Sequence, residues 1–125
     1  MILDTNALSA FFDGDLELKG LVSEAPKISL PVIVLGEYRF GLIGSRLRKT
    51  IEPALDDLET VADVLPIDAA TVRPYTTIAD QLKRAGTPIP INDLWIAALA
   101  LQHGYPVVSR DLHFDLVRGL RRLGW

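Results

Sequence analysis

The stretch Met1-Ile2-Leu3-Asp4 constrains the fold more than any other. Three apolar residues run straight into an acid, and helix-forming residues follow at once. That order fits a short buried strand whose C-terminal end delivers a carboxylate to the edge of a sheet. Similar apolar stretches occur at Ile28-Ser29-Leu30, at Val64-Leu65-Pro66-Ile67-Asp68 and at Pro106-Val107-Val108-Ser109, and residues 120–124 suit a last edge strand. Helices are predicted at about 6–12, 16–23, 31–42, 46–61, 69–84 and 92–102, with a short helical turn over 112–117. Pro31 suits the first position of a helix, where its missing N–H costs nothing. Pro53 predicts a kink or restart, Pro66 an edge strand, Asn92 a cap and Gly104 a helix end.

Short apolar strands alternating with helices predict an α/β fold with a parallel sheet of four to five strands, covered on both faces. At 125 residues the chain is the size of one domain, residues 1–125. Right-handed crossovers bring all strand C-termini to one edge, the edge where such sheets bind ligands. Asp4 and Asp111 follow strand ends directly. Asp93 stands in the first turn of a helix that starts from the same edge. Glu37 lies about six residues into its helix, roughly 9 Å along the axis. Helical side chains lean toward the N-terminus, so a long Glu reaches back to that edge where an Asp does not.

Each Asp also has a plain structural use. Asp4 and Asp111 can cap the helices that follow them, and Asp93 gains about 0.3–1 kcal/mol from a helix dipole. Glu37 has no such use. It stands in Val32-Ile33-Val34-Leu35-Gly36-Glu37-Tyr38-Arg39-Phe40-Gly41, apolar on most sides. Burying it unpaired is expensive, and Arg39 two residues on points elsewhere. The four acids are therefore expected to converge. With no Cys and only two His, neither at ligand spacing, such a set suits Mg²⁺ or Mn²⁺. It can activate water against a phosphodiester. Thr5, Asn6 and Ser109 are expected to orient the ligands or their waters.

Composition narrows the remaining choices. The net charge is −3 and the pI about 5.3, so there is no basic footprint of a nucleic-acid binder. Phosphate contacts would fall to local residues such as Arg39 and Arg110, with Arg46, Arg48, Lys49, Lys83 and Arg84 as further candidates. Hydrophobic residues make up 49% and mean hydropathy is +0.24, so some apolar surface is expected to meet a partner. No apolar run spans a bilayer and no secretory signal opens the chain; a cytoplasmic protein without disulfides is expected. Other α/β classes fit poorly. A phospho-acceptor domain needs paired acids after strand one and a late Lys. An Asp-x-Asp phosphatase meets Asn6 at the second acid. A dinucleotide-binding domain needs G-x-G-x-x-G after strand one.

Four stretches together carry a resemblance: Ile2-Leu3-Asp4-Thr5-Asn6, Leu35-Gly36-Glu37-Tyr38-Arg39-Phe40-Gly41, Asn92-Asp93-Leu94-Trp95-Ile96-Ala97-Ala98, and Val108-Ser109-Arg110-Asp111 running into His113-Phe114. In order and spacing the chain resembles the PIN-domain proteins, specifically VapC-like toxin ribonucleases. The resemblance implies a three-layer α/β/α sandwich, Mg²⁺ or Mn²⁺ as cofactor, endoribonuclease activity, a homodimer, and neutralisation by a small antitoxin. It implies Asp4, Glu37, Asp93 and Asp111 as the acidic site. Relatives differ in the last segment, where the acid can fall later, so Asp115 rivals Asp111. Ser109 stands where the family often has Thr. The alternative is a PIN-like module that binds without catalysis. Two apolar surfaces are expected to receive the antitoxin: the helix 31–42, and the stripe Leu16-Leu18-Leu21-Val22.

Overall fold

The computed structural model describes residues 1–125. Its elements run β1 (Ile2–Leu3), α1 (Thr5–Asp13), α2 (Leu16–Glu24), β2 (Ser29–Pro31), α3 (Val32–Leu42), α4 (Arg48–Val61), β3 (Asp63–Leu65), α5 (Ala69–Ala85), α6 (Ile91–His103), β4 (Val107–Val108), a 3₁₀ turn (Leu112–Leu116) and β5 (Arg122–Leu123). The five strands form one sheet in the order β3-β2-β1-β4-β5, and every pair is parallel. Six helices flank it, as the apolar runs and their helical connections predict. Central strands lie between covered faces, which is why Ile2, Leu3, Leu30, Val107 and Val108 are all fully buried.

The strand order places the functional edge. From β1 the chain winds outward through β2 to β3, then crosses back to β4 and out to β5. The winding reverses between β1 and β4, and a crevice opens there beyond the strand ends. Asp4 and Ser109 are the residues directly after β1 and β4. The register pairs Leu3 with Val108, so these two follow-on residues leave the sheet side by side.

Proline and asparagine act differently from expectation at two helix starts. Pro31 closes β2 and occupies the N-cap of α3, and helix φ/ψ begins at Val32. Pro90, not Asn92, stands at the N-cap of α6, with no side-chain cap. In both cases proline's fixed φ and extended ψ supply the entry to the helix. Pro66 follows edge strand β3 and ends it. Pro53 sits inside an unbroken α4.

Helix α3 is less uniformly apolar than its composition suggests. Val34, Leu35, Tyr38 and Leu42 are buried, at the spacing of one helical face. Val32, Phe40 and Ile43 are exposed. Glu37 lies at the border of the buried face, half-buried. Helix α6 buries Leu94 and then five residues from Ile96 to Ala100, which fixes the position of Asp93 in its first turn. Gly104, at φ 68, takes the left-handed turn that ends it.

Candidate active site

Asp4 emerges from β1 with its side chain 4% exposed at the residue level. Its Oδ1 accepts from the Thr5 backbone N–H at 2.7 Å, capping α1. Its Oδ2 accepts from the Ser109 hydroxyl at 2.7 Å and the Asn6 amide at 2.8 Å. The capping use and a place in a site are thus compatible. Ser109 in turn accepts from the Asp111 backbone N–H at 2.9 Å, and Asn6 donates to Ser109 at 3.1 Å. One hydroxyl therefore ties the loop after β4 to the carboxylate after β1. Thr5 donates to Glu37 Oε1 at 3.2 Å, across 32 residues of sequence. The three supporting polar residues each hold an acid or its loop.

Asp4, Glu37, Asp93 and Asp111 line one open cleft of about 490 Å³, together with Thr5, Asn6 and Arg110. The acids come from β1, α3, α6 and the loop after β4, so four separate segments converge. Their protons record the crowding. Burial, first, holds the Asp4 carboxyl above its ordinary pKa, and the charges of Glu37 and Asp111 add to that. Asp93 is pushed up to about 6, by burial and then by the charge of Asp4, with Asp111 adding.

His113 joins the acids, although its sequence position reads as surface. Its Nδ1 lies 3.2 Å from Asp93 Oδ2 and 2.9 Å from Asp111 Oδ1. Burial lowers its pKa, but the Asp93 hydrogen bond and the Asp111 charge outweigh it, and the imidazole is held above its usual value. Asp93, Asp111 and His113 present ligand atoms all within 4.8 Å of one another. The signal was hidden because Asp93 and His113 are 20 residues apart in sequence, and a 3₁₀ turn, not a helix, brings the ring round.

Two expected residues lie elsewhere. Arg39 does not line the cleft; its guanidinium binds Asp56 at 2.6 Å and Glu59 at 2.8 Å on α4. Asp115 is gripped by Arg122 at 2.8 and 3.0 Å, which lowers its pKa, and it does not line the other acids' cleft. Arg110 does line the cleft.

The donor set can be tested for a metal. Asp4 and Asp93, held above their ordinary pKa by burial first and by neighbouring charge after it, favour a cation beside them. Asp93, Asp111 and His113 already have ligand spacing, and Asp4 and Glu37 face the same cleft. The residues fit a divalent ion.

A sequence profile of the PIN domain matches residues 1–120. The chain belongs to the PIN-domain family. This PIN-domain chain is 31% identical over 120 residues to Ribonuclease VapC5 of Mycobacterium tuberculosis, covering 94% of the chain and 87% of the relative. It is 32% identical to VapC ribonuclease Y4jK of Sinorhizobium fredii, over 89% and 86% of the two chains. Its fold matches VapBC-1 from nontypeable Haemophilus influenzae at a TM-score of 0.86 and 26% identity, covering 99% and 96%. The PIN domain matches DNA-bound VapBC from Salmonella typhimurium in fold, with a TM-score of 0.87 at 24% identity, over 99% and 96%.

Proposed function

We propose that residues 1–125 act as one PIN-like domain, a Mg²⁺- or Mn²⁺-dependent endoribonuclease that is the toxin of a toxin–antitoxin pair. The observation that carries this reading is the convergence of Asp4, Glu37, Asp93 and Asp111 on one cleft at the reversal of strand order. Membership of a family whose curated relatives are named VapC ribonucleases supports the activity.

Asp4, Asp93 and Asp111 would hold the cation, with Glu37 reaching back from α3. A bound divalent ion supplies a water of lowered pKa and neutralises charge on the phosphodiester. The chain's own residues do the rest. Ser109 and Asn6 fix Asp4 in one rotamer and Thr5 orients Glu37, so the carboxylates are placed before substrate arrives. The half-buried Asp93, whose carboxyl is pushed up to about 6 without metal, is mostly ionised at neutral pH and so free to take up a cation. His113, hydrogen-bonded to it, stabilises its anion.

The cleft continues into a groove of mixed lining, with Tyr38, Leu42, Leu47 and Ile51 on its apolar side and Thr5, Ser9, Asp13 and Glu37 shared with the acid site. We take this groove as the seat of an antitoxin's amphipathic segment. Phe40, Ile43 and Leu16 are exposed on α3, after it and on α2, whereas Leu18 is fully buried and Leu21 and Val22 pack against the core, so the expected stripe on α2 is not a free surface. A basic residue of that partner, such as Arg, would sit among the carboxylates. The likeness in fold to members of the VapBC family of toxin–antitoxin systems supports such a partner, and a homodimer is part of the same reading. No helix is long and apolar enough to cross a membrane; the proposed place of action is the cytoplasm, where RNA and antitoxin meet.

Mapping RNA ends after a brief pulse of expression tests the reading. Discrete new ends are expected with the wild type and none with Asp4→Asn. Identical end maps for the two would overturn it, and would favour the module that binds without cutting.

A further inference from the structure

Arg110 is the one cation among the ten residues that line the acid cleft, five of which are carboxylates. Its neighbour in sequence is Asp111, and its backbone N–H donates to Asn6 at 3.1 Å. An arginine so placed is expected to fold in among the acids, because it would gain charge-assisted hydrogen bonds there. It does not. Its guanidinium turns to the far end of α1 and donates to Asp15 at 3.1 Å. Its central carbon lies over the Trp125 ring, 4.4 Å from the centroid. The Trp125 indole N–H donates to the same Asp15 oxygen at 3.1 Å. Asp15 is fixed as well, since it caps α2 through the Leu18 N–H at 3.1 Å. The guanidinium is thus held by a ring face and a carboxylate, and only one of its N–H groups is used in the bond to Asp15. The rest remain to meet an anion.

Resting on the ribonuclease reading, we infer that Arg110 binds an RNA phosphate beside the scissile one, and that Trp125 and Asp15 are positioning residues which keep its guanidinium off the metal-binding carboxylates. The two uses belong to one geometry. The same tether that withholds Arg110 from Asp4, Asp93 and Asp111 presents it along the cleft. Arg110 lines the same cleft as the acids but is anchored at Asp15, beyond the end of α1, which sets its contact beside the acid site and not within it. A cation held over a ring face and bonded to a carboxylate is pre-organised, and loses little freedom when it takes up a phosphate oxygen.

Three variants test this: Trp125→Leu, Arg110→Ala and the double variant. Asp15→Asn is a further check, since Asn retains the α2 cap but removes the charge that anchors the guanidinium. The readouts are calorimetric Mn²⁺ affinity without RNA, and kcat and KM on a mixed-sequence single-stranded RNA. Trp125→Leu and Asp15→Asn are expected to weaken Mn²⁺ several-fold, because Arg110 collapses onto the acids. Adding Arg110→Ala to Trp125→Leu restores the affinity. Arg110→Ala alone raises KM more than it lowers kcat, and reduces the salt slope of log kcat/KM by about 0.7, the value for one phosphate of a single strand. If Mn²⁺ affinity is unmoved by Trp125→Leu and Asp15→Asn, or is not restored in the double variant, the tether is merely structural. An unchanged KM and salt slope in Arg110→Ala removes the phosphate contact. A wild-type protein that binds Mn²⁺ but neither binds nor cuts RNA overturns the ribonuclease reading itself, a result distinct from these.

Discussion

Asp93 carries the clearest prediction at the scale of one residue. Its carboxyl titrates at about 6 in the fold, against an ordinary 3.8. The folded state therefore holds a proton that the unfolded chain has lost, and metal-free stability falls as pH rises from about 4 to about 6. His113 acts in the same direction. Its raised pKa gives stability that is present below its ordinary value and lost as pH passes the raised one. Asp93→Asn should flatten the fall between pH 4 and 6 in chelator without lowering the melting temperature at pH 7. It should also reduce cleavage by more than the ~10–100-fold typical of outer-shell partners of a metal. Thermal melts across pH test the first part. A slope unchanged in Asp93→Asn would mean that the carboxyl does not titrate there. Asp111 and Asp115 divide similarly. Asp111→Ala should lose most activity and Asp115→Ala little, because Arg122 already occupies Asp115. A larger loss from Asp115→Ala under saturating Mg²⁺ would reverse the assignment.

At the scale of elements, the turn over Leu112–Leu116 does most to shape the site after β4. It is anchored by Phe114, which is fully buried, and it carries His113 between that anchor and Asp111. Phe114→Ala should cost about 3–5 kcal/mol, read by urea denaturation, and should weaken metal binding beyond that of a stability-matched core variant elsewhere. Equal metal affinity in the two would mean that the turn does not position the site. The strands and helices were legible because each apolar run is short and bounded by Gly, Pro or an acid. Asp4 and Asp111 were legible because they follow strand ends, and Glu37 because no cap or ion pair accounts for it. His113 was not, since it lies two residues after Asp111 in a 3₁₀ turn, a spacing that no helix or strand rule marks. The place of Arg39 outside the cleft was not legible because its acids, Asp56 and Glu59, arrive from α4, a packing that sequence patterns do not reveal. The starts of α3 and α6 were misread because proline's own backbone geometry replaced the side-chain cap expected of Asn92.

Across the whole molecule, an acidic protein of net charge −3 gathers its carboxylates at the reversal point of a parallel sheet, with a partly apolar groove alongside. Partner and metal should then compete. A basic antitoxin residue among the acids predicts weaker Mn²⁺ binding in the complex than in the free chain, with equal coupling from either side. Equal metal affinity in both would leave only steric blocking of RNA. The most direct measurement is anomalous diffraction from crystals soaked in Mn²⁺. The expected result is a peak in the cleft within ligand distance of Asp4, Asp93 and Asp111, and its loss in Asp4→Asn. A wild-type map with no peak in that cleft, or with manganese bound only at other acids such as Asp56 and Glu59, would contradict the metal site.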